Sequence, residues 1–204
     1  SGTTTMTVGK GNPNIIFEDE TRIFGDPDFS FSATSDSNGA MSYSIQDTSV
    51  AILDGNTVKI KGAGSTIVTV NQVATTKYNA GTATMTLVVN KAPFDISWYE
   101  SKLQKIYTIG QLELKEPTYP SSFDGIIRYS TSNSRIASLN GKTVNFEKIG
   151  RVILTAKFER SSNYLDAQIS VILDITKANQ VIIPSDLPNE TPLKDFTSIP
   201  ISAS

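Results

Sequence analysis

The feature that most limits what this chain can become is an ungapped internal repeat. "YSIQDTSVAILDGNTVKIKGAGSTIVTV", starting at Tyr43, returns as "YSTSNSRIASLNGKTVNFEKIGRVILTA", starting at Tyr129. The two stretches stand 86 residues apart, and the spacing holds through Gly55/Gly141, Val58/Val144, Gly64/Gly150, Thr69/Thr155, Tyr78/Tyr164 and Lys91/Lys177. Self-similarity at one long period marks an array of like units, so the 204 residues divide into similar bodies in series. Ahead of Tyr129 the second unit carries extra residues, because Lys10 and Lys91 are only 81 apart. Such insertions belong in loops.

Within each unit the apolar residues alternate, and no long stretch follows a 3.6-residue period. "DFSFSAT" places Phe29, Phe31 and Ala33 on one face. "NTVKIKG" places Val58 and Ile60 opposite Thr57, Lys59 and Lys61. Val144/Phe146, Val68/Val70 and Leu154/Ala156 are inward pairs of the same kind. Turn pairs bound the runs, "DG" at 54–55 and "NG" at 38–39 and 140–141, as tight hairpins with positive φ require. Gly64 and Gly150 precede a long strand where a bend excludes a Cβ. Short strands every 8–12 residues specify an all-β sandwich or barrel. Tyr78 and Tyr164 fall just before the last strand, where a buried ring pins a sandwich corner.

These residues resemble a known family. "DTSVAILDGNTVKIKGAGSTIVTV" is similar to the bacterial immunoglobulin-like group 2 (BIG2) repeats, with their S-x-V-A step, G-x-V strand and following G-x-x-x-I/V-x-V/A strand. "TKYNAGTATMTLVVNKA" and "FGDPDFSFSATS" are similar to the ends and openings of such repeats. The second unit departs from the pattern, with "YTIGQLELKE" at its opening and a longer "EPTYPSSFDG" connection. The resemblance implies immunoglobulin-like β-sandwiches of about seven strands each, strung in tandem on surface-exposed proteins. Bacterial adhesins, phage and large-virus structural proteins, and accessory modules of secreted enzymes are the settings it implies, with catalysis rare.

Composition excludes several chemistries. The chain has no Cys and no His, so disulfides, thiol nucleophiles, imidazole bases and the usual zinc sites are ruled out. A net charge of −2 argues against a nucleic-acid partner. No run approaches the ~20 apolar residues of a membrane span, and "SGTTTMTVGK" contains no signal-peptide core. No catalytic residue, cofactor or metal is expected. The acidic stretches "EDE" (Glu18–Glu20) and "GDPD" lack calcium-loop spacing and read as charged edges and turns. Lys102, Lys105, Lys157 and Arg160 read as scattered solubilising charges.

Two stretches are candidate binding sites. "FDISWYE" puts Phe94, Ile96 and Trp98 on one face and Tyr99 on the other. It is either an aromatic platform for a sugar ring or a first strand burying Phe94 and Trp98. "EPTYPSSFDG" carries Tyr119 and Phe123 on the longest loop of the second unit, as a partner-binding tip or as a prolyl loop folded onto its own domain.

The expected organisation is therefore four pieces: residues 1–10 as the last strand of a preceding domain, domains at 11–91 and 92–177, and the start of a third repeat at 178–204. "GTTTMTV" near the start matches "GTATMTL" at 81–87, and Ile199, Ile201 and Ala203 echo Phe29, Phe31 and Ala33. The expected function is a non-enzymatic spacer, fibre or decoration on a virion or bacterial surface. Its partners would be neighbouring immunoglobulin-like domains of a longer chain and other surface proteins. An adhesion module for glycan or receptor, and an accessory domain of a secreted hydrolase, are the alternatives. A short junction, "VVNKAP", restricts the hinge because it has little slack and Pro93 lacks an N–H.

Overall fold

Alternation becomes two stacked sheet pairs in a computed structural model that describes Met6 and residues 8–179. The first unit contains β1 (Ile15–Ile16), β2 (Glu20–Ile23), β3 (Thr34–Ser35), β4 (Met41–Ile45), β5 (Ala51–Asp54), β6 (Thr57–Ile60), β7 (Gly64–Gln72) and β8 (Gly81–Asn90). In the second are β9 (Lys102–Ile106), β10 (Gln111–Glu113), β11 (Ile126–Thr131), β12 (Ala137–Asn140), β13 (Thr143–Phe146), β14 (Gly150–Glu159) and β15 (Ala167–Thr176). Among the described residues the only helical element is a single 3₁₀ turn at Tyr107–Ile109.

Both units share one topology. In the first, a four-stranded sheet runs β2-β8-β7-β4, and in the second β11-β14-β15-β9. Each contains one parallel pair, β2 with β8 and β9 with β15, in otherwise antiparallel ladders. Opposite the first sheet lie β1-β3 and β5-β6, joined by the reciprocal bonds Phe29 N–H to Val58 O (3.2 Å) and Val58 N–H to Phe29 O (2.7 Å). Opposite the second lies β10-β13-β12. A first strand that switches sheets to pair in parallel with the last strand, over a two-sheet core, is the immunoglobulin-like arrangement. The chain is two such sandwiches in tandem.

The cores are separate. Phe31, Val58, Val68, Met85 and Leu87 fill the first, and Leu103, Val144, Leu154, Val171 and Leu173 the second. Val58, Val68, Leu87, Val144, Leu154 and Leu173 are fully buried, each contributing about 1.5–3 kcal/mol of burial. The inward pairs expected at Val58/Ile60, Val68/Val70, Val144/Phe146 and Leu154/Ala156 do face inward, with Ile60 half-buried and the others buried. The turn glycines Gly55 and Gly141 have φ of 63° and 60°, at identical places in the β5–β6 and β12–β13 hairpins. Gly64 and Gly150 have φ of 157° and 153°, and a Cβ there would sit 3.0 Å from Val50 and 3.1 Å from Ile136.

Two expected strands are reduced to single bridges. "DFSFSAT" keeps the expected facing, with Phe31 buried and Phe29 and Ala33 half-buried, but its ladder breaks between Phe29 and β3. "FDISWYE" pairs only through Ser97 and Thr118, which exchange bonds of 3.1 and 2.7 Å. Thr118 lies between Pro117 and Pro120, which have no N–H to extend the ladder. Six of the ten residues of the orphan strand expected at 1–10, and all but 178–179 of the restart expected at 178–204, lie outside the described residues.

Candidate functional site

The most elaborate polar and aromatic constellation lies where the sandwiches meet. In the first unit β2 ends at Ile23, β8 ends at Asn90 and β7 begins at Gly64, so all three mark the same end of the sandwich. This end abuts the β14–β15 connection of the second unit, residues 160–166. Phe24 meets Tyr164 edge to face, with ring centroids 5.5 Å apart and planes at 84°. Ala63 N–H donates to Asn163 Oδ1 at 2.8 Å. Lys91 Nζ donates to Ser161 O at 2.7 Å. Within the second unit, Ala92 N–H donates to Asn163 O and Ala92 O accepts from Leu165 N–H, each at 2.9 Å, as Gly11 does with Lys77 O and Asn79 N–H in the first.

The receiving loop is braced from within its own domain. Asp124 accepts from the Ser161 hydroxyl and from Ser162 N–H, and these bonds, the Ser161 hydroxyl first, hold its carboxyl below the usual range. Ser161 Oγ in turn accepts from Tyr164 N–H at 3.1 Å, and the Tyr164 hydroxyl shares a 2.6 Å bond with Ser122. Ser161 and Tyr164 are both buried, at 2% and 9% exposure. Two buried members, Ser161 and Tyr164, tied to the exposed Asp124, Ser162 and Ser122, hold the loop in one geometry at the joint.

The candidate aromatic residues divide between packing and exposure. Tyr119 and Phe123 pack edge to face on Phe158, at 5.2 and 5.4 Å. Phe94 closes the same cluster, 5.2 Å from both Phe123 and Tyr164. The prolyl loop is thus folded onto its own domain. Trp98 is half-buried against the second core, and its indole N–H donates to Lys115 O at 2.9 Å. Tyr99 alone of the four points outward, 46% exposed, with Lys115 Nζ 5.0 Å from its ring centre. Beside the joint an open groove of about 450 Å³ is lined by Phe24, Pro93, Phe94, Tyr119, Pro120 and Tyr164.

The acidic stretches are engaged locally. Asp19 accepts from Thr86 N–H at 2.6 Å, Glu20 pairs with Arg22, and Asp26 accepts from Ile23 N–H at 2.9 Å. Among the described residues no cluster of acidic side chains is placed to hold a metal ion. Lys102, expected as a scattered charge, instead joins an ion trio. Asp174 accepts from Arg151 Nε at 2.6 Å and lies 2.8 Å from Lys102 Nζ, and these partners, Arg151 first, hold its carboxyl down at about 2.

Sequence reasoning used Lys91 as a landmark of the repeat and Tyr164 as a landmark and corner ring, and assigned no role to Phe24, Asn163, Ser161, Asp124 or Phe158. No sequence signal marks Asn163: the matching position of the first unit holds Lys77, but the neighbouring positions also differ, with only Tyr78/Tyr164 identical.

No family model and no curated protein matches this chain. Solved structures with similar arrangements include titin domains Z1Z2 in complex with telethonin, at 13% identity and a TM-score of 0.40, covering 84% of this chain and all of that one. Drosophila N-cadherin EC1-4 is similar at 15% identity and TM-score 0.35, covering 83% of this chain, which spans half the length of that one. Human protocadherin-24 EC1-2 gives 12% identity and TM-score 0.34 over 83% of this chain and 99% of that one. No helix among the described residues is long and apolar enough to cross a membrane.

Proposed function

We propose that this chain is a non-catalytic structural segment of a tandem immunoglobulin-like array, of the BIG2 kind, that acts as a spacer, fibre or decoration on a bacterial cell or virion surface. The observation that carries the reading is the joint. Each sandwich closes its own core, and the two meet end to end through an aromatic pair, a side-chain carboxamide and a lysine clamp. Such a joint resists bending, which a spacer needs and a lone binding domain does not. The partners in this reading are neighbouring sandwiches of the same polypeptide and the surface proteins they are mounted on.

Small-angle scattering tests it. A spacer gives a pair-distance distribution with two resolved maxima and a particle length near that of two sandwiches in line. A single-maximum profile, or one that fits only a broad range of interdomain angles, would sink the reading.

A second reading, glycan or receptor binding, draws on the exposed Tyr99 and on the groove beside Tyr119. A glycan array with wild type and Tyr99→Ala separates the two, since a spacer binds nothing on it.

A further inference from the structure

The joint between the sandwiches has a counterpart at the far end of the second unit that the described residues leave exposed. The parallel pairs β2–β8 and β9–β15 place Ile23 opposite Asn90 and Ile106 opposite Thr176, so Ile106 and Tyr107 occupy the places of Ile23 and Phe24. By the 86-residue spacing, Lys148 and Ile149 stand for Gly62 and Ala63, and Lys177–Ala178 repeats Lys91–Ala92.

Among the described residues, burial differs in part between the two ends. Ala92, 7% exposed, is covered by the loop of its own unit, as Gly11 is bridged to Tyr78 in the first, whereas Ala178 is exposed. Tyr107 and Ile149 are 39% and 46% exposed where Phe24 and Ala63 are half-buried, whereas Ile106 is no more exposed than Ile23, at 42% against 44%; a shallow depression of about 280 Å³ lies beside Ile106 and Lys177. At the opposite end of the molecule Tyr78 is only half-buried, whereas its counterpart Tyr164 is covered by Phe24.

We propose that the end of the second sandwich formed by Ile106, Tyr107, Lys148, Ile149 and Lys177–Ala178 is a preformed socket for the β14–β15-type loop of a further immunoglobulin-like unit of the same polypeptide. In the socket Tyr107 takes the place of Phe24 against a tyrosine ring. Ile149 N–H takes the place of Ala63 N–H as a donor, and Lys177 clasps a loop carbonyl. This inference rests on the array reading and names the partner of one surface.

Charge selects among heads. In the occupied joint a Cβ on Gly62 would lie 3.3 Å from Asn163 Oδ1 and 2.9 Å from Ser49 O, so Lys148 fits the matching place with a shifted backbone and carries a flexible ammonium within reach of the loop residue that matches Asn163. A head carrying Asn or Asp where Asn163 stands complements it. The head of the first unit carries Lys77 there, and two lysines at one contact repel. The socket therefore accepts an Asn-type or Asp-type head and rejects the first unit's own, which disfavours open-ended stacking of separate copies.

The test lengthens the chain by placing a copy of residues 92–177 directly after Lys177, the register in which the second unit follows Lys91. That segment contains a closed core of its own, and with Trp98→Phe in the resident unit the added copy's tryptophan alone reports its folding. Hydrogen exchange at the Ile149 amide is compared with that in the 204-residue chain. Docking slows exchange about tenfold or more. Placing Lys at the Asn163 position of the added copy restores fast exchange, and placing Asp there keeps it slow. Unchanged Ile149 exchange beside a folded added unit overturns the socket while leaving the array reading intact, because scattering from the original chain tests the internal joint separately. Equal protection by Asn and Lys heads overturns the charge selection.

Discussion

Tyr43 and Tyr129 occupy the same point of the same strand in the two units, yet only one hydroxyl is satisfied. Tyr43 OH accepts from Ala33 N–H at 3.2 Å, whereas the buried Tyr129 OH has no partner among the described residues. Burial, then the nearby Glu116, pushes the Tyr129 phenol up to about 12. One substitution should therefore act oppositely at the two sites. Tyr43→Phe loses a hydrogen bond and costs about 1 kcal/mol, while Tyr129→Phe removes an unpaired buried hydroxyl and is neutral or stabilising by up to about 1 kcal/mol. Urea unfolding of both variants checks the sign; a destabilised Tyr129→Phe protein would show that the hydroxyl has a partner in solution.

The ion trio around Asp174 predicts an acid dependence. Its carboxyl, at about 2 in the folded chain, lies below the ~3.9 of an unfolded aspartate. The stabilisation is thus complete above about pH 4 and is lost as pH falls through about 2. Asp174→Asn should lower Tm at pH 7 and flatten this limb, so that the two Tm curves converge by about pH 2. Parallel curves across that window would remove the trio from the account.

Separate cores predict separable unfolding. The single tryptophan, Trp98, packs on the second core and reports that sandwich alone. Leu154→Ala should cost about 2–5 kcal/mol and shift the fluorescence midpoint. Val68→Ala should act on the first sandwich, visible by circular dichroism with little change in fluorescence. Equal shifts of both signals in both variants would mean that the units unfold as one.

At the β12–β13 hairpin, Gly141 has φ of 60°, and no atom lies within 4 Å of where a Cβ would stand. The strain of substitution is therefore in the backbone alone. Gly141→Ala should cost about 1–2 kcal/mol and Gly141→Asn distinctly less, since Asn tolerates the left-handed region. Thermal unfolding of the pair decides, and identical losses would point to a steric cause.

Much of the two-layer core was readable because alternation is local: Val58/Ile60 and Leu154/Ala156 declare their faces within four residues. The repeat made each assignment twice. The parallel strands were harder, since "ETRI" and "KLQKI" are short and half polar and gain their meaning only beside β8 and β15. The joint was harder still. Phe24, Ala63, Lys91 and Asn163 come from four separate places, and no periodicity brings a backbone amide to a carboxamide 100 residues away. The aromatic loop shows the same limit: Tyr119 and Phe123 were conspicuous, but Phe158, the ring they pack on, was hidden in an ordinary alternating strand.

Parallel pairing at the two ends of each unit also decides how load travels along the molecule. Each early strand, β2 or β9, is bonded alongside the last, β8 or β15, over four and five residue pairs respectively. Tension applied through the chain draws these two strands in opposite senses along their common axis. The bridging hydrogen bonds are then strained together in shear, not parted one after another as at a hairpin pulled from its open end. Each sandwich should accordingly give way abruptly, at high force and with little prior extension, a pattern that single-molecule pulling would distinguish from gradual peeling.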